Sequence, residues 1–302
     1  MNFYDKIVTI LGPTAVGKTK FASKLAHYFN GEIISADSRQ VYLGMDVGTG
    51  KDYDDYKIGD RTVKAHLIDI INPAEEFNLF SFVKHFKSSY QEIINKNKTP
   101  FLVGGTGLYL SAVIQNYSLH SVDFHNERAE YLNELKEDKL KSILQSLNPN
   151  LHNTTDLIDK KRLIRAILVA EEKSDVFEQS SELSHLIIGL YDERKELKKR
   201  IRRRLKQRLE TGMIQEVENL VDSGITHEKL RFFGLEYKFL SMYLTDELNY
   251  NDMHQKLASS IIKFSKRQMT WFRKMEKEGI EINWLKNNEL DSAKKLIQSF
   301  LS

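Results

Sequence analysis

The first residues whose types and spacing indicate chemistry are 12–19, which match the pattern G-x-x-x-x-G-K-[ST] at every specified position. A loop of this kind wraps a phosphate in backbone N–H groups at the positive end of a helix. Lys18 would add a point charge at the terminal phosphates, and the Thr19 hydroxyl would be a ligand for Mg²⁺. The predicted phosphate-binding residues are Gly12, Pro13, Thr14, Ala15, Val16, Gly17, Lys18 and Thr19. The motif defines a ligand class, because both nucleotides and prenyl diphosphates carry phosphates.

Two polar residues are expected beside this loop. Asp37 follows the apolar run 32–36, and Thr106 lies in the glycine-rich turn after the run 101–103. In an open α/β sheet, ligands bind outside the carboxyl ends of the strands, so both side chains should meet the same ligand. Asp37 could support Mg²⁺ binding as in a phosphate-loop ATPase, or it could accept a proton from a substrate. Its polar Ser-Ala-Asp-Ser setting favours the second role, and Asp69, within an apolar run, is the alternative metal-linked carboxylate.

A basic helix is expected over residues 194–221. Apolar residues recur every fourth position on it and predict a stripe that faces the core. Arg204 belongs to a column of arginines on the flank of that stripe, together with Arg200 and Arg208. Guanidinium groups suit diphosphates, so Arg204 is a candidate anion ligand, with a solvated helix face as its ordinary alternative. Further basic residues, some interleaved with aromatic ones, occur at 160–165 and 263–274, which is a pattern that suits RNA.

Short apolar runs and amphipathic segments alternate in the order that positions these residues. Strands are predicted at 7–11, 32–36, 65–71, 101–103 and 185–190, with a last edge strand at 281–285. Helices are predicted at 20–29, 80–95, 108–114, 126–147, 159–172, 194–221 and 251–277. This is an α/β fold with a phosphate-loop NTPase-like parallel sheet flanked by helices and an inserted all-helical subdomain. The predicted core domain comprises 1–116 and 185–302, and the insertion comprises 117–184.

Composition excludes several classes of protein. The 302 residues are 41% hydrophobic and 29% charged, with a net charge of +3, as expected of a soluble globular chain. No apolar run approaches the ~20 residues of a membrane span, and no signal peptide is recognisable. The sequence contains no cysteine, which excludes disulfides and thiolate-bound metals and fits a cytoplasmic location.

Seven segments together resemble the bacterial tRNA dimethylallyltransferase (tRNA isopentenyltransferase) family. They are Gly-Pro-Thr-Ala-Val-Gly-Lys-Thr at 12–19, Asp-Ser-Arg-Gln-Val-Tyr at 37–42, Gly-Met-Asp-Val-Gly-Thr at 44–49, His-Leu-Ile-Asp at 66–69, Leu-Val-Gly-Gly-Thr-Gly-Leu-Tyr at 102–109, Lys-Arg-Leu-Ile-Arg at 161–165 and Lys-Arg-Gln-Met-Thr-Trp-Phe-Arg at 266–273. The resemblance implies transfer of a dimethylallyl group from dimethylallyl diphosphate to N6 of the adenosine just 3′ of the anticodon (position 37 of tRNA). The implied partners are tRNA and the prenyl donor, the implied cofactor is Mg²⁺, and a monomer without membrane association is expected.

The same resemblance implies roles for individual residues. Asp37 would be the general base at N6, Thr106 would steady it, and Arg204 and the phosphate loop would hold the diphosphate, with Mg²⁺ at Thr19. The implied tRNA contacts are Asp37, Ser38, Arg39, Gln40, Thr106, Arg128, Lys161, Arg162, Leu163, Ile164 and Arg165. One departure is evident: the family usually has Gly-Tyr-Lys or Gly-Tyr-Arg late in the chain, where this sequence has Gly-Leu-Glu at 234–236.

Three other functions are compatible with parts of the pattern. A phosphate-loop small-molecule kinase would use the same loop, but the basic segments argue against it. A non-catalytic RNA-binding module would leave Asp37 and Thr106 unexplained. A prenyltransferase acting on free adenine nucleotides would have little use for the helical insertion.

Overall fold

The computed structural model describes residues 6–117, 119, 122–124, 126–147, 160–172 and 183–302. They fall into two compact units, one within Met1–Asn116 and Ser181–Ser302 and the other within Tyr117–Ser180. A strand of the first unit begins at Ser184, one residue inside the stretch that the sequence assigned to the insertion.

A six-stranded parallel sheet forms the centre of the first unit. Its strands are β1 (Lys6–Leu11), β2 (Gly31–Ala36), β5 (Ala65–His66), β6 (Thr99–Gly104), β7 (Ser184–Tyr191) and β8 (Asn283–Lys286). The order across the sheet is β5-β2-β6-β1-β7-β8. A separate two-stranded hairpin consists of β3 (Lys57–Ile58) and β4 (Arg61–Thr62). The central strands are almost wholly buried and apolar, as expected when helices cover both faces of a parallel sheet.

The strand register aligns the residues that precede the polar turns. Leu11 of β1 pairs with Gly104 of β6 and Gly189 of β7, and Ala36 of β2 also pairs with Gly104. Three neighbouring strands therefore end at the same level, and the chain leaves each of them on the same edge of the sheet. This confirms the prediction that the three turns share one edge.

Helices connect and flank these strands. The first unit contains α1 (Lys18–Tyr28), α2 (Leu79–Asn95), α3 (Gly107–Ile114), α7 (Arg194–Glu210), α8 (Met213–Asp222), α9 (His227–Leu230), α10 (Leu235–Leu244), α11 (Tyr250–Lys277) and α12 (Leu290–Leu301). The second unit contains α4 (Glu127–Glu134), α5 (Glu137–Leu147) and α6 (Lys160–Glu171), which enclose a small core that includes Leu132, Leu140, Leu163 and Ile167. Among the described residues, no helix combines the length and apolarity needed to cross a bilayer.

Two predicted helices are each divided in the structure. The predicted helix 194–221 is α7 followed by α8, and the break falls at Gly212, whose φ of 102° no continuing right-handed helix can accommodate. The predicted helix 126–147 is α4 followed by α5, because Leu135 adopts an extended conformation between them. Asn126 caps α4 through its side chain and lies outside the helix.

The predicted strand 65–71 was wrong beyond His66. Leu67 and Asp69 have positive φ values of 62° and 54°, and the backbone from Asp69 onward hydrogen-bonds to residues 40 and 41. The apolar residues of this run pack from a loop, which periodicity alone cannot distinguish from a buried strand. Tyr28, near the end of α1, is exposed, and its ring lies beneath the Lys294 ammonium.

Candidate active site

The phosphate loop borders a cavity of about 530 Å³ at the carboxyl edge of the sheet. Five of its eight residues line this cavity: Thr14, Ala15, Gly17, Lys18 and Thr19. Gly12, Pro13 and Val16 are buried and support the loop from within the protein. The lining also includes Asp37, Ser38, Arg39, Gln40, Thr106 and Arg204, so these predicted residues and five of the phosphate loop reach one space.

Side chains from the end of the chain hold the phosphate loop in shape. The Gln268 amide of α11 accepts a hydrogen bond from Thr14 N at 2.8 Å and donates one to Gly105 O at 2.8 Å. The Asn287 amide donates to Val16 O at 3.0 Å. Sequence reasoning assigned Gln268 only to a basic and aromatic surface, because a contact across 254 residues has no local signal.

The Lys18 side chain lines the cavity, and its ammonium donates to Pro13 O at 2.8 Å. Removal from water lowers its pKa to about 8, with Asp37 raising the pKa and Arg204 lowering it. The Lys18 ammonium is therefore removed from water without enough polar partners in the protein to compensate. Such a group gains most from an anionic ligand.

Asp37 is half-buried at the end of β2, and its Oδ1 accepts a hydrogen bond from Arg39 N at 2.9 Å. Thr106 stands beside it: the Thr106 Oγ1 accepts from Ser38 N at 3.2 Å. Thr106 thus fixes the turn that carries Asp37. Electrostatic coupling of Asp37 to Lys18 accords with their positions in the wall of the same cavity.

Arg204 projects from α7 into the same space. Its guanidinium pairs with the carboxylate of Asp52 and donates to Gly50 O at 3.4 Å. Gly50 O also accepts from the Gln40 amide at 3.1 Å. The loop 44–51 therefore contacts both Arg204, which is predicted to bind the diphosphate, and Gln40, which is predicted to contact tRNA.

Glu216 of α8 anchors this loop, and sequence reasoning missed it. Its carboxylate accepts from the backbone N–H groups of Asp46, Val47 and Gly48 at 2.7, 2.6 and 2.9 Å. The Tyr237 hydroxyl donates to the same carboxylate at 2.7 Å. A lone glutamate on an amphipathic helix carries no sequence signal for such a role.

The alternative carboxylate, Asp69, is used elsewhere. It pairs with the buried Lys51 ammonium and accepts from the Tyr53 hydroxyl at 2.5 Å. Lys51 also bonds Tyr42 O at 2.6 Å and Asp46 at 2.8 Å. Asp69 does not line the cavity, so the geometry does not support the prediction that it could be the metal-linked carboxylate.

Thr19, Asp37 and Asp55 all line the cavity, so oxygen-bearing side chains suitable for a hard cation lie in its wall. A second group of potential ligands, Glu32, His66 and Glu92, brings its atoms within 4.8 Å of one another. Lysine ammoniums already pair with both carboxylates there, at 2.6 to 2.7 Å. That cluster is better described as an ion-pair network.

The late segment 234–236, which departs from the family pattern, also lines the cavity. Burial raises the pKa of Glu236, against the opposing effect of the nearby Arg208. At the rim, Phe232 is 67% exposed, and Phe264 lies under the Arg267 guanidinium at 5.7 Å. Aromatic and cationic groups thus flank the opening of the cavity.

The remaining predicted tRNA contacts lie in the second unit. Arg128 of α4 pairs with Glu171, with 2.9 Å between Nε and Oε2, and lies over the Tyr131 ring. Lys161, Arg162 and Arg165 of α6 are exposed. The other two predicted contacts, Leu163 and Ile164, are buried in the core of the unit, which prevents their side chains from meeting RNA.

The fold of the chain agrees with that of a solved relative. The family model for IPP transferase matches residues 40–275, and that for isopentenyl transferase matches 5–69. The chain therefore belongs to the IPP transferase family.

Individual relatives are similar over nearly their whole length. The chain is 45% identical over 299 residues to tRNA dimethylallyltransferase 1 of Syntrophus aciditrophicus, covering 98% of both chains. It is 49% identical over 282 residues to tRNA dimethylallyltransferase 2 of Pelobacter propionicus, covering 92% of this chain and 89% of the relative. The crystal structure of the full-length tRNA isopentenylpyrophosphate transferase from Bacillus halodurans matches with a TM-score of 0.68 and 34% identity, covering 98% of this chain and 94% of the other.

Proposed function

We propose that this chain transfers a dimethylallyl group from dimethylallyl diphosphate to N6 of the adenosine just 3′ of the anticodon in tRNA. The observation that carries the proposal is the single cavity that the phosphate loop and the carboxylate-bearing turn of Asp37 share. Family membership supports it, because the relatives described above are tRNA prenyl-transferring enzymes by name.

The donor would bind with its diphosphate on the phosphate loop. When the bond between the allylic carbon and the diphosphate oxygen breaks, negative charge develops on the leaving group. Backbone N–H groups of the loop, the Lys18 ammonium and the Arg204 guanidinium then stabilise this charge. Groups that meet the charge as it forms lower the barrier more than groups that bind the substrate equally well.

Asp37 would accept the proton that N6 loses as the new carbon–nitrogen bond forms. A carboxylate suits this step because the adenine amino group is a weak nucleophile until its proton has an acceptor. The Arg39 N–H holds the Asp37 carboxylate, and the Thr106 hydroxyl holds the neighbouring Ser38, so the base is oriented before the substrate arrives. The adenosine would have to leave its stack to enter the cavity.

Mg²⁺ fits the donor set, since hydroxyl, carboxylate and phosphate oxygens are the ligands it prefers. Thr19 would hold it together with the diphosphate. When bound, the ion would add positive charge to the leaving group.

The tRNA would be contacted by Ser38, Arg39 and Gln40 at the cavity and by Arg128, Lys161, Arg162 and Arg165 in the insertion. Guanidinium and ammonium groups on exposed helix faces suit the phosphate backbone. Cytoplasmic action agrees with the lack of cysteine in the sequence.

The test is mass spectrometry of nucleosides from an anticodon stem-loop incubated with the protein, dimethylallyl diphosphate and Mg²⁺. The expected product is N6-isopentenyladenosine. Asp37→Ala should lose product while it retains RNA binding in a gel-shift assay, and Asp54→Ala, at an exposed position of the short 3₁₀ helix Tyr53–Tyr56, is the matched control. Turnover by Asp37→Ala near that of the unaltered protein would remove Asp37 as the base.

The same assay distinguishes the other functions. Prenylation of AMP at a rate equal to that of the stem-loop would indicate a free-nucleotide prenyltransferase. ATP turnover that depends on a hydroxylated metabolite, without prenyl transfer, would indicate a kinase. Neither is favoured by the relatives, whose names specify tRNA as the substrate.

A further inference from the structure

We propose that Arg208 is a second cationic ligand for the diphosphate, acting beside Arg204; this inference rests on the proposed function and names a residue of the same site. Arg208 lies one helical turn after Arg204 on α7, so their side chains project in similar directions. Sequence reasoning placed Arg208 only in a column of arginines and gave it no role.

The first argument is its location. Arg208 and Arg204 both line the main cavity, and both also line a small adjoining cavity of about 20 Å³. Thr14 and Ala15 of the phosphate loop form part of the wall of that second space. Its volume is close to that of one water molecule, so Arg208, Arg204 and the phosphate loop share the wall of a space of that size.

The second argument is an unmet hydrogen bond. Arg208 Nη2 is buried and has no hydrogen-bond partner among the described residues. Its ion-pair partner is Asp52, with 3.9 Å between Nη2 and Oδ1, and the other oxygen of that carboxylate already pairs with Arg204. A buried guanidinium with an unused N–H is costly for the folded chain, and an anionic oxygen would satisfy it.

The third argument is electrostatic. Removal from water, and then the charge of Arg204, lowers the pKa of Arg208 to about 10, so the group is still a cation at neutral pH. Two guanidinium groups side by side repel one another in the free protein. A diphosphate bound between the two guanidinium groups would attract both of them and offset their mutual repulsion.

The backbone makes room for this side chain. Gly50 has a φ of +70°, and a Cβ atom there would overlap the Arg208 guanidinium and approach Arg204 Nη2 to 2.7 Å. A side chain at Gly50 would therefore displace both cations. Glycine at position 50 of the loop 44–51 therefore leaves space for both guanidinium groups.

Glu236 is an acidic residue beside this proposed anion site, and its negative charge would oppose the binding of a diphosphate. It lines both cavities, and Arg208 is the largest of the charges that oppose the rise in its pKa. In this arrangement Arg208 shields the diphosphate from the Glu236 carboxylate. Removing the charge of Glu236 should strengthen anion binding.

The test measures binding of inorganic pyrophosphate with Mg²⁺ by isothermal titration calorimetry. Arg208→Gln should weaken binding by roughly tenfold or more, the usual range for removal of a charge-assisted hydrogen bond. Arg208→Lys should weaken it less, and Glu236→Gln should strengthen it. Arg203→Gln, which removes an exposed arginine of the same helix, should bind within about twofold of the unaltered protein.

The outcomes separate this inference from the proposed function. If the unaltered protein binds pyrophosphate and Arg208→Gln binds it equally well, Arg208 is not a ligand and the proposed function stands. If the unaltered protein fails to bind, both fail. A thermal midpoint for Arg208→Gln that is no lower than that of the unaltered protein excludes unfolding as the reason for weaker binding. The KM for tRNA should be unchanged by Arg208→Gln.

Discussion

The phosphate site and the helical insertion both carry arginine and lysine, but they hold these charges differently. At the phosphate site, Lys18 and Arg204 lie in the wall of a cavity, bonded to backbone carbonyls or a carboxylate. In the insertion, Arg128 and Arg165 lie over the Tyr131 and Phe124 rings at 5.2 and 5.1 Å. Enclosed charges act at short range on one ligand, whereas exposed charges act together on a large one.

This difference predicts very unequal effects of single substitutions. Removal of one enclosed charge should slow the reaction strongly, because solvent screens such a charge poorly and it acts at short range on the ligand. Removal of one exposed charge should change RNA affinity slightly. The contrast can be measured at Lys18, at Glu216 and on α6.

The largest effect is expected for Lys18→Met. The value of kcat/KM for the prenyl donor should fall by roughly 10²–10³-fold, the range for removal of one preorganised charge or donor. The thermal midpoint should not fall, because the ammonium is poorly solvated in the free protein. Lys20→Met, at an exposed position of the same helix, is the control and should be nearly neutral. If kcat/KM of Lys18→Met for the prenyl donor exceeded a tenth of the value for Lys20→Met, the proposed difference between the two regions would be wrong.

Glu216→Gln should have the next largest effect. It replaces one acceptor oxygen with an NH₂ group that meets backbone N–H donors, so the loop 44–51 should shift. We expect kcat/KM to fall by about ten- to a hundredfold and stability by about 1–3 kcal/mol. Steady-state kinetics and denaturant unfolding measure these, with Glu218→Gln on the same helix as control. Unchanged kinetics together with reduced stability would limit Glu216 to a purely structural role.

The pH dependence of donor use should follow Lys18. Its pKa in the folded protein, about 8, lies below its ordinary value of 10.5, so the charged form that binds an anion is present below pH 8 and disappears above it. Because kcat/KM reports the free enzyme, it should fall by about tenfold per pH unit above that point. Lys18→Arg should remove this decline in the same profiles. A decline that persists in the variant would assign it to another group.

The smallest effect is expected in the insertion. Arg162→Gln with Arg165→Gln should weaken tRNA binding by several-fold and reduce the salt dependence of log K by about one unit for each phosphate that is no longer neutralised. The KM for the donor should not change. Filter binding at two salt concentrations measures this, and Lys139→Gln, on α5, serves as the control. A decrease as large as that of Lys18→Met would show that the two regions do not differ in the proposed way.

The sequence was sufficient to predict the part of the site that the sheet itself positions. The phosphate loop, Asp37 and Thr106 each follow a buried strand, and parallel strands bring their carboxyl ends together whatever their separation in the chain. Arg204 was predictable as a cation on the flank of an apolar stripe. Its partners Asp52 and Gly50 were not, because they lie in an irregular loop.

Other features depended on interactions that leave no local pattern. Gln268 and Glu216 act through single hydrogen-bonding groups on helices whose periodicity describes only their apolar faces. The run 65–71 was predicted to be a strand because apolar composition does not reveal positive φ values at Leu67 and Asp69. The break at Gly212 did have a signal, the glycine itself, which the amphipathic pattern on either side outweighed.

The bonds from Gln268 and Asn287 to the phosphate loop have a consequence for biosynthesis. Gln268 and Asn287, which brace Thr14 and Val16, follow them in the chain by 254 and 271 residues, so the ribosome makes the loop well before it makes these side chains. A nascent chain can thus form the first strand and its helix long before the loop acquires its final shape. The ability to bind a diphosphate at this loop should therefore appear only after Gln268 and Asn287 have been made, so nascent chains that end before residue 268 would not capture the proposed prenyl donor.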